Sequence, residues 1–104
     1  VFQIKEYLHQ NYAVPSLSVP DISEHVRLSP TYVCTLFKNE TGQTLNQYLT
    51  DYRIKMSKQF LSDPLYKITD ISAKVGYSDG NYYSKAFRKI VGLSPSEYRE
   101  KMLR

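Results

Sequence analysis

The chain has 104 residues, of which 41% are hydrophobic and 23% charged, with four Gly and five Pro; this describes one globular unit and excludes a disordered chain. No apolar run is long enough to cross a bilayer, no signal peptide is visible, and the single cysteine, Cys34, excludes an internal disulfide and a cysteine-based metal site. The net charge of +4 is uneven, with two basic and three acidic residues in 1–28 but twelve and seven in 29–104, a mild bias toward an anionic partner such as nucleic acid.

Apolar residues recur at intervals of three and four and never alternate for long, so every expected element is a helix. Phe2–Asn11 forms the first, with Ile4, Tyr7 and Leu8 on one face. A connector with Pro15 leads to Ser18-Val19-Pro20-Asp21, which reads as a capped start with Pro in the first turn. Ile22 and Val26 then share a face of a short helix. Ser29-Pro30 opens the next, with Ser as N-cap, and Gly42 ends it as a left-handed cap. Thr44–Leu61 is a longer helix with Leu45, Tyr48, Leu49 and Tyr52 along one face, stopped by Asp63-Pro64. Lys67–Val75 is short, and Gly76 suits a tight turn. Ser78 is the expected cap of a further helix that ends at Gly92. Ser94-Pro95-Ser96-Glu97 is a capping box that opens a last helix to about Met102. The fold class is therefore all-α. A start at Val1, directly in a helical pattern, reads as a domain cut from a longer protein.

The chain repeats itself. Asp21-Ile22-Ser23 matches Asp70-Ile71-Ser72, Val26 matches Val75, and Ser29 matches Ser78. One extra residue then enters the second copy, after which Tyr32, Phe37, Lys38, Gly42 and Tyr48 match Tyr82, Phe87, Arg88, Gly92 and Tyr98. Each copy is a short helix, a turn, a second helix and a glycine stop. A helix–turn–helix of this kind places its second helix in a DNA major groove; helix pairs also build interaction scaffolds, though those need three or more copies.

Helix phase separates an inner from an outer face at about 100° per residue. Val33, Leu36, Phe37 and Glu40 cluster in the first copy, opposite Thr31, Thr35 and Lys38, with Cys34 on the flank. Tyr83, Ala86, Phe87 and Ile90 cluster in the second, opposite Asn81, Lys85 and Arg88. Asn pairs with adenine, Lys reaches guanine and Thr meets a thymine methyl. Lys38, Arg88 and Lys89 suit phosphate contact. A polar ridge opposite a core stripe is also what any solvated helix shows.

The stretch KITDISAKVGYSDGNYYSKAFRKIVGLSPSEYR at 67–99, with LSPTYVCTLFKNETGQTLNQYLTDYRI at 28–54, resembles the DNA-binding domain of the AraC/XylS family of bacterial transcription regulators, over nearly the whole chain. The spelling is especially similar to the C-terminal output domains of YesN-type two-component response regulators. The resemblance implies seven helices: one helix–turn–helix unit over about 1–43, a linker helix over about 44–62 and a second unit over about 63–104. It implies two recognition helices in neighbouring major grooves of double-stranded DNA. By position, the base-contacting residues are Thr31, Cys34 and Thr35 in the first unit and Gly80, Asn81, Tyr82 and Lys85 in the second. This chain departs from the pattern at Cys34 and Thr35, which are small where family members often carry large polar or basic residues. It departs also at Gly80, which has no side chain, at Ser57, where alanine is usual, and at Arg27, which stands where the second copy has Gly76. The remaining implied partners are RNA polymerase and an upstream sensing or receiver domain, with no membrane, in the cytoplasm.

Nothing in the chain builds an enzyme. His9 and His25 fall on different helices, no carboxylate or cysteine cluster has ligand spacing, and no glycine-rich phosphate loop is present; no catalytic residue, metal or cofactor is expected. A linker of about 18 residues measures roughly 27 Å, close to one DNA turn of about 34 Å. The alternative reading is a helical interaction module that docks on RNA polymerase or a partner domain, motivated by ten tyrosines and an outward Tyr82.

Overall fold

A computed structural model describes residues 1–104 as seven α-helices without a strand: α1 Phe2–Asn11, α2 Val19–Val26, α3 Pro30–Thr41, α4 Leu45–Leu61, α5 Ile68–Lys74, α6 Gly80–Val91 and α7 Pro95–Met102. Local chemistry accounts for most boundaries. The Asp21 carboxylate accepts from the Ser18 N–H at 3.1 Å, closing the start of α2. Ser29 Oγ accepts from the Tyr32 N–H at the head of α3. Thr44 is the cap of α4 rather than its first residue: Thr44 Oγ1 accepts from the Gln47 N–H at 3.1 Å, and Gln47 Oε1 accepts from the Thr44 N–H at 2.9 Å. Ser94 and Glu97 repeat that reciprocal pair at the head of α7. Helix α5 is one residue shorter at each end than its pattern suggests, with Lys67 and Val75 as its flanking caps.

Two hydrophobic cores form, and α4 is the wall of both. Ile4, Leu8, Ile22, Val33, Phe37, Leu45 and Leu49 make the first; Ile54, Leu61, Ile71, Val75, Tyr83 and Phe87 make the second. On a helical wheel, Leu45 and Leu49 lie about 130° from the row Ile54, Ser57 and Leu61, at about 100° per residue. The linker helix thus offers its two ends on different sides. Each core also repeats an edge-to-face aromatic pair, Phe37 on Tyr48 at 5.3 Å and Phe87 on Tyr98 at 5.5 Å. The repeat is therefore structural as well as textual.

Ser57 is fully buried, and its Oγ donates to Ile54 O at 2.7 Å, so the hydroxyl that replaces a small apolar group is satisfied within its own helix. The Tyr83 hydroxyl beside it is the one buried side-chain polar atom that closes no hydrogen bond. Burial raises its pKa, and the neighbouring Ser57 hydroxyl works in the opposite direction.

The two turns share a backbone path. Leu28 N–H donates to Ser23 O and Tyr77 N–H donates to Ser72 O, five residues back in each case. Both turns pass through a left-handed residue, Arg27 at φ 59° and Gly76 at φ 98°. Arg27 therefore keeps the shape of the second turn and bears the strain of a side chain there.

Two expectations change. Ser78 does not cap α6: Asp79 does, its Oδ1 accepting from the Asn81 N–H at 2.8 Å. The extra residue of the second copy is thus Ser78 itself, and Asp79 is the partner of Ser29. Glu40 and Ile90 do not join the core stripes; both are exposed. The inward place after Phe37 and Phe87 passes four residues on to Thr41 and Val91, which are half-buried.

Candidate nucleic-acid interface

Helices α3 and α6 have the same length and the same inward stripe, so residue n of α3 stands where residue n + 50 stands in α6. Val33 and Phe37, Tyr83 and Phe87 point into the cores. What remains outward is then fixed by the helix. Thr31, Cys34 and Thr35 are all exposed on α3, and Gly80, Asn81, Tyr82 and Lys85 on α6. Lys38, Arg88 and Lys89 are exposed as well. The expected residues are thus all exposed; Thr31, Thr35 and Lys38 share the outer face of α3, and Asn81, Lys85 and Arg88 that of α6, while Gly80 lies at the start of α6 in the phase of Phe87.

The ridges differ in charge. Helix α6 carries Lys85, Arg88 and Lys89 with no acidic residue, while α3 has Lys38 and Glu40. The molecule's only ion pair joins Arg104 to Glu100. No cation of α3 or α6 forms an ion pair with a carboxylate, although Arg88 lies near enough to Glu97 to act on its charge, and these cations face an anionic ligand without a direct partner. Lys38 is partly engaged: its Nζ donates to Gly42 O at 3.1 Å, at the C-terminal end of α3. A phosphate would have to draw it from that carbonyl.

Between the two ridges lies an open groove. Lys38 from α3 and Lys89 from α6 line it, with Gln43, Asn46, Gln47 and Asp51 along its floor. Gln43 Nε2 donates to the Asp51 carboxylate at 2.8 Å, so the one acidic group there is hydrogen-bonded within the floor. The groove brings the C-terminal end of one ridge and of the other to a common cleft. The whole molecule measures 46 × 22 × 21 Å, elongated as two units side by side require.

Three residues of this surface do not follow from outward phase alone. Tyr32 is 52% exposed in the register of Tyr82, which is 68% exposed. Ser84 stands in the register of Cys34, and both are exposed. Asn46 enters through the groove. The offset of 50 was the signal for the first two; nothing local marks the third.

No group of His, Cys, Asp or Glu is arranged to hold a metal ion, and no helix is long and apolar enough to cross a membrane. His9 and His25 are instead stacked on tyrosines, His9 on Tyr52 at 4.3 Å and His25 on Tyr7 at 4.4 Å.

Residues 22–101 match the model of a family described as "Helix-turn-helix domain". The Msm operon regulatory protein of Streptococcus mutans is 36% identical over 102 residues, 98% of this chain and 36% of that protein. The chain spans about a third of the length of the curated relatives it matches. Among solved structures, the C-terminal domain of AraT, a response regulator from Geobacillus stearothermophilus, superposes with a TM-score of 0.92 at 28% identity, covering 95% of this chain and 82% of that one. The DNA-binding domain of AdpA, crystallised with a target DNA, shares the fold with a TM-score of 0.88 at 18% identity, over 95% and 88% of the two chains.

Proposed function

The chain belongs to the AraC-type helix-turn-helix family of transcription regulators, and from that premise we propose that it binds a specific DNA sequence by placing α3 and α6 in successive major grooves on one side of a duplex. The observation that carries this reading is the matched pair of outer ridges, polar on α3 and basic on α6, flanking one groove. Base choice falls to Thr31, Cys34 and Thr35 in the first box and to Gly80, Asn81, Tyr82 and Lys85 in the second. Lys85 offers a donor to guanine, Asn81 a bidentate face to adenine, and the α3 side chains small apolar and hydroxyl contacts. Gly80 contributes backbone only, allowing close approach of α6. Lys38, Arg88 and Lys89 meet phosphates and give the salt-dependent part of the affinity.

Helix α4, with 17 residues, is about 26 Å long, shorter than the DNA turn of about 34 Å. The shortfall is taken up by the offset of α3 and α6 from the linker and by bending of the DNA, which costs about 1–6 kcal/mol over a site of this size. In the whole regulator, RNA polymerase and an upstream sensing or receiver domain are the further partners, and the setting is the bacterial cytoplasm.

Selection of bound duplexes from a random pool tests the reading. Two short boxes about one helical turn apart are expected. With the selected duplex, Lys85→Ala should lose about 1–3 kcal/mol and relax choice at one base pair of the second box; Lys89→Ala should weaken every sequence alike and lower the salt slope by about 1. A pool that converges on a single box, or equal effects of the two changes on base choice, defeats the assignment.

A further inference from the structure

We propose that Arg53 sets the box spacing that the chain accepts, by locking the two helix–turn–helix units against each other across the linker helix. The inference rests on the two-groove reading above and adds a positioning residue to it. Arg53 sits in the middle of α4, half-buried, between the two cores. Its Nε donates to Tyr12 O at 2.8 Å and its Nη2 to Val14 O at 2.9 Å. Both carbonyls belong to the α1–α2 connector, in the first unit. Its guanidinium lies 5.6 Å from the centre of the Tyr77 ring, in the turn of the second unit. One side chain therefore holds backbone from one unit and an aromatic face from the other.

The surrounding residues close the same joint. Tyr12 is the side chain that packs against both hydrophobic cores. Gly76, fully in the second unit's turn, comes so close that a Cβ there would overlap Tyr12 O and stand 2.7 Å from Arg53 Nε. Apart from this joint, no helix of the first unit packs substantially on a helix of the second: α3 meets α4 from the first unit, and α5, α6 and α7 meet it from the second. A helix shared by two faces fixes distance well and rotation poorly. The bidentate guanidinium supplies the missing restraint, since its planar fork satisfies two carbonyls only in one orientation.

The consequence is a spacing rule. A rigid connector gains from the second unit only when both boxes are in phase, whereas a loose one tolerates displacement with a slow loss. The test uses the 104-residue chain and the two-box duplex from the selection. One and two base pairs are added or removed between the boxes, each turning the second box by about 35°; a duplex with one box is the control. The unaltered chain is expected to lose about 100-fold in affinity within two base pairs. Arg53→Met, which keeps the apolar stem, is expected to lose less than about tenfold over the same series, with single-box affinity unchanged. An Arg53→Met profile as steep as that of the unaltered chain overturns the proposal. So does an equal loss on every duplex, single box included, which is the mark of a merely structural residue. A flat profile for the unaltered chain removes the two-groove reading itself, and this role with it.

A measurement without DNA gives an independent readout. Spin labels at Cys34, the one native cysteine, and at Ser84→Cys, its counterpart on α6, report the distance between the two ridges. One narrow distribution is expected, broadened by Arg53→Met; an unchanged width overturns the proposal. If Arg53→Met does not fold, Arg53→Lys replaces it with the same outcomes, because one ammonium cannot span both carbonyls.

Discussion

Arg27 and Gly76 occupy the same step of two copies of one turn, and only one of them suits it. A side chain in the left-handed region costs about 1–2 kcal/mol. Arg27 is exposed and makes no hydrogen bond or ion pair through its side chain. Arg27→Gly should therefore stabilise the fold by about 1 kcal/mol after the added freedom of the unfolded chain is counted; in a domain of this size that raises Tm by about 4–8 °C. Gly76→Ala is the counter-case. Its Cβ would meet the Tyr12 carbonyl and the Arg53 side chain, and a loss of at least about 2 kcal/mol is expected. Thermal melts of both variants check the pair. A drop in Tm for Arg27→Gly would mean that its stem covers apolar surface whose loss outweighs the strain.

At the scale of the helix, the features legible in the sequence are chiefly caps. Ser18, Ser29, Gly42, Gly92 and the Ser94–Glu97 box act through neighbours within four residues, so the chain spells them locally. The start of α6 is not fixed by residue type, because Ser78 and the adjacent Asp79 are both good caps; Asp79 holds the position in the fold. Glu40 and Ile90 depart from the inward stripe for another reason. Helix phase gives the direction of a side chain but not whether a neighbour reaches that far along the helix. The role of Arg53 has no local signature, because its partners lie 39 and 41 positions away. The exposure of the outward residues of α3 and α6 is legible, since Val33, Leu36 and Phe37 in one helix and Tyr83, Ala86 and Phe87 in the other take the inward positions.

The α7 cap carries a pH dependence with a definite sign. Bonds from the Ser94 backbone and hydroxyl hold the Glu97 carboxyl below its ordinary 4.5, and the negative charge sits at a helix N-terminus. A depressed carboxyl stabilises the folded chain above its unfolded pKa and loses that contribution as pH falls through the folded value. Glu97→Gln keeps a capping side chain, as Gln47 does in the α4 box, but cannot titrate. The Tm of the unaltered chain should exceed that of Glu97→Gln at neutral pH, and the gap should close on acidification below 4.5. A gap that stays constant down to strongly acid solution would show that the charge contributes nothing.

For the molecule as a whole, the question is whether two cores make two folding units. Each unit has only half of the chain, below the size at which a single core stands comfortably alone. Both use α4 as a wall, so neither can lose its partner without exposing one side of that helix. Tyr12 packs on both cores, and Arg53 fastens the connector of one unit to the turn of the other. One cooperative transition follows from these links. Phe87→Ala, deep in the second core, should cost about 3–5 kcal/mol, and that loss should appear in the first unit as well. Native-state hydrogen exchange makes the comparison residue by residue. The slowest amides of α1 and α2 should open with the same free energy as those of α5 and α6 and fall by the same amount in the variant. If the α1 and α2 amides keep their protection while α5 and α6 lose theirs, the units fold separately, and the linker helix is a tether rather than a shared wall.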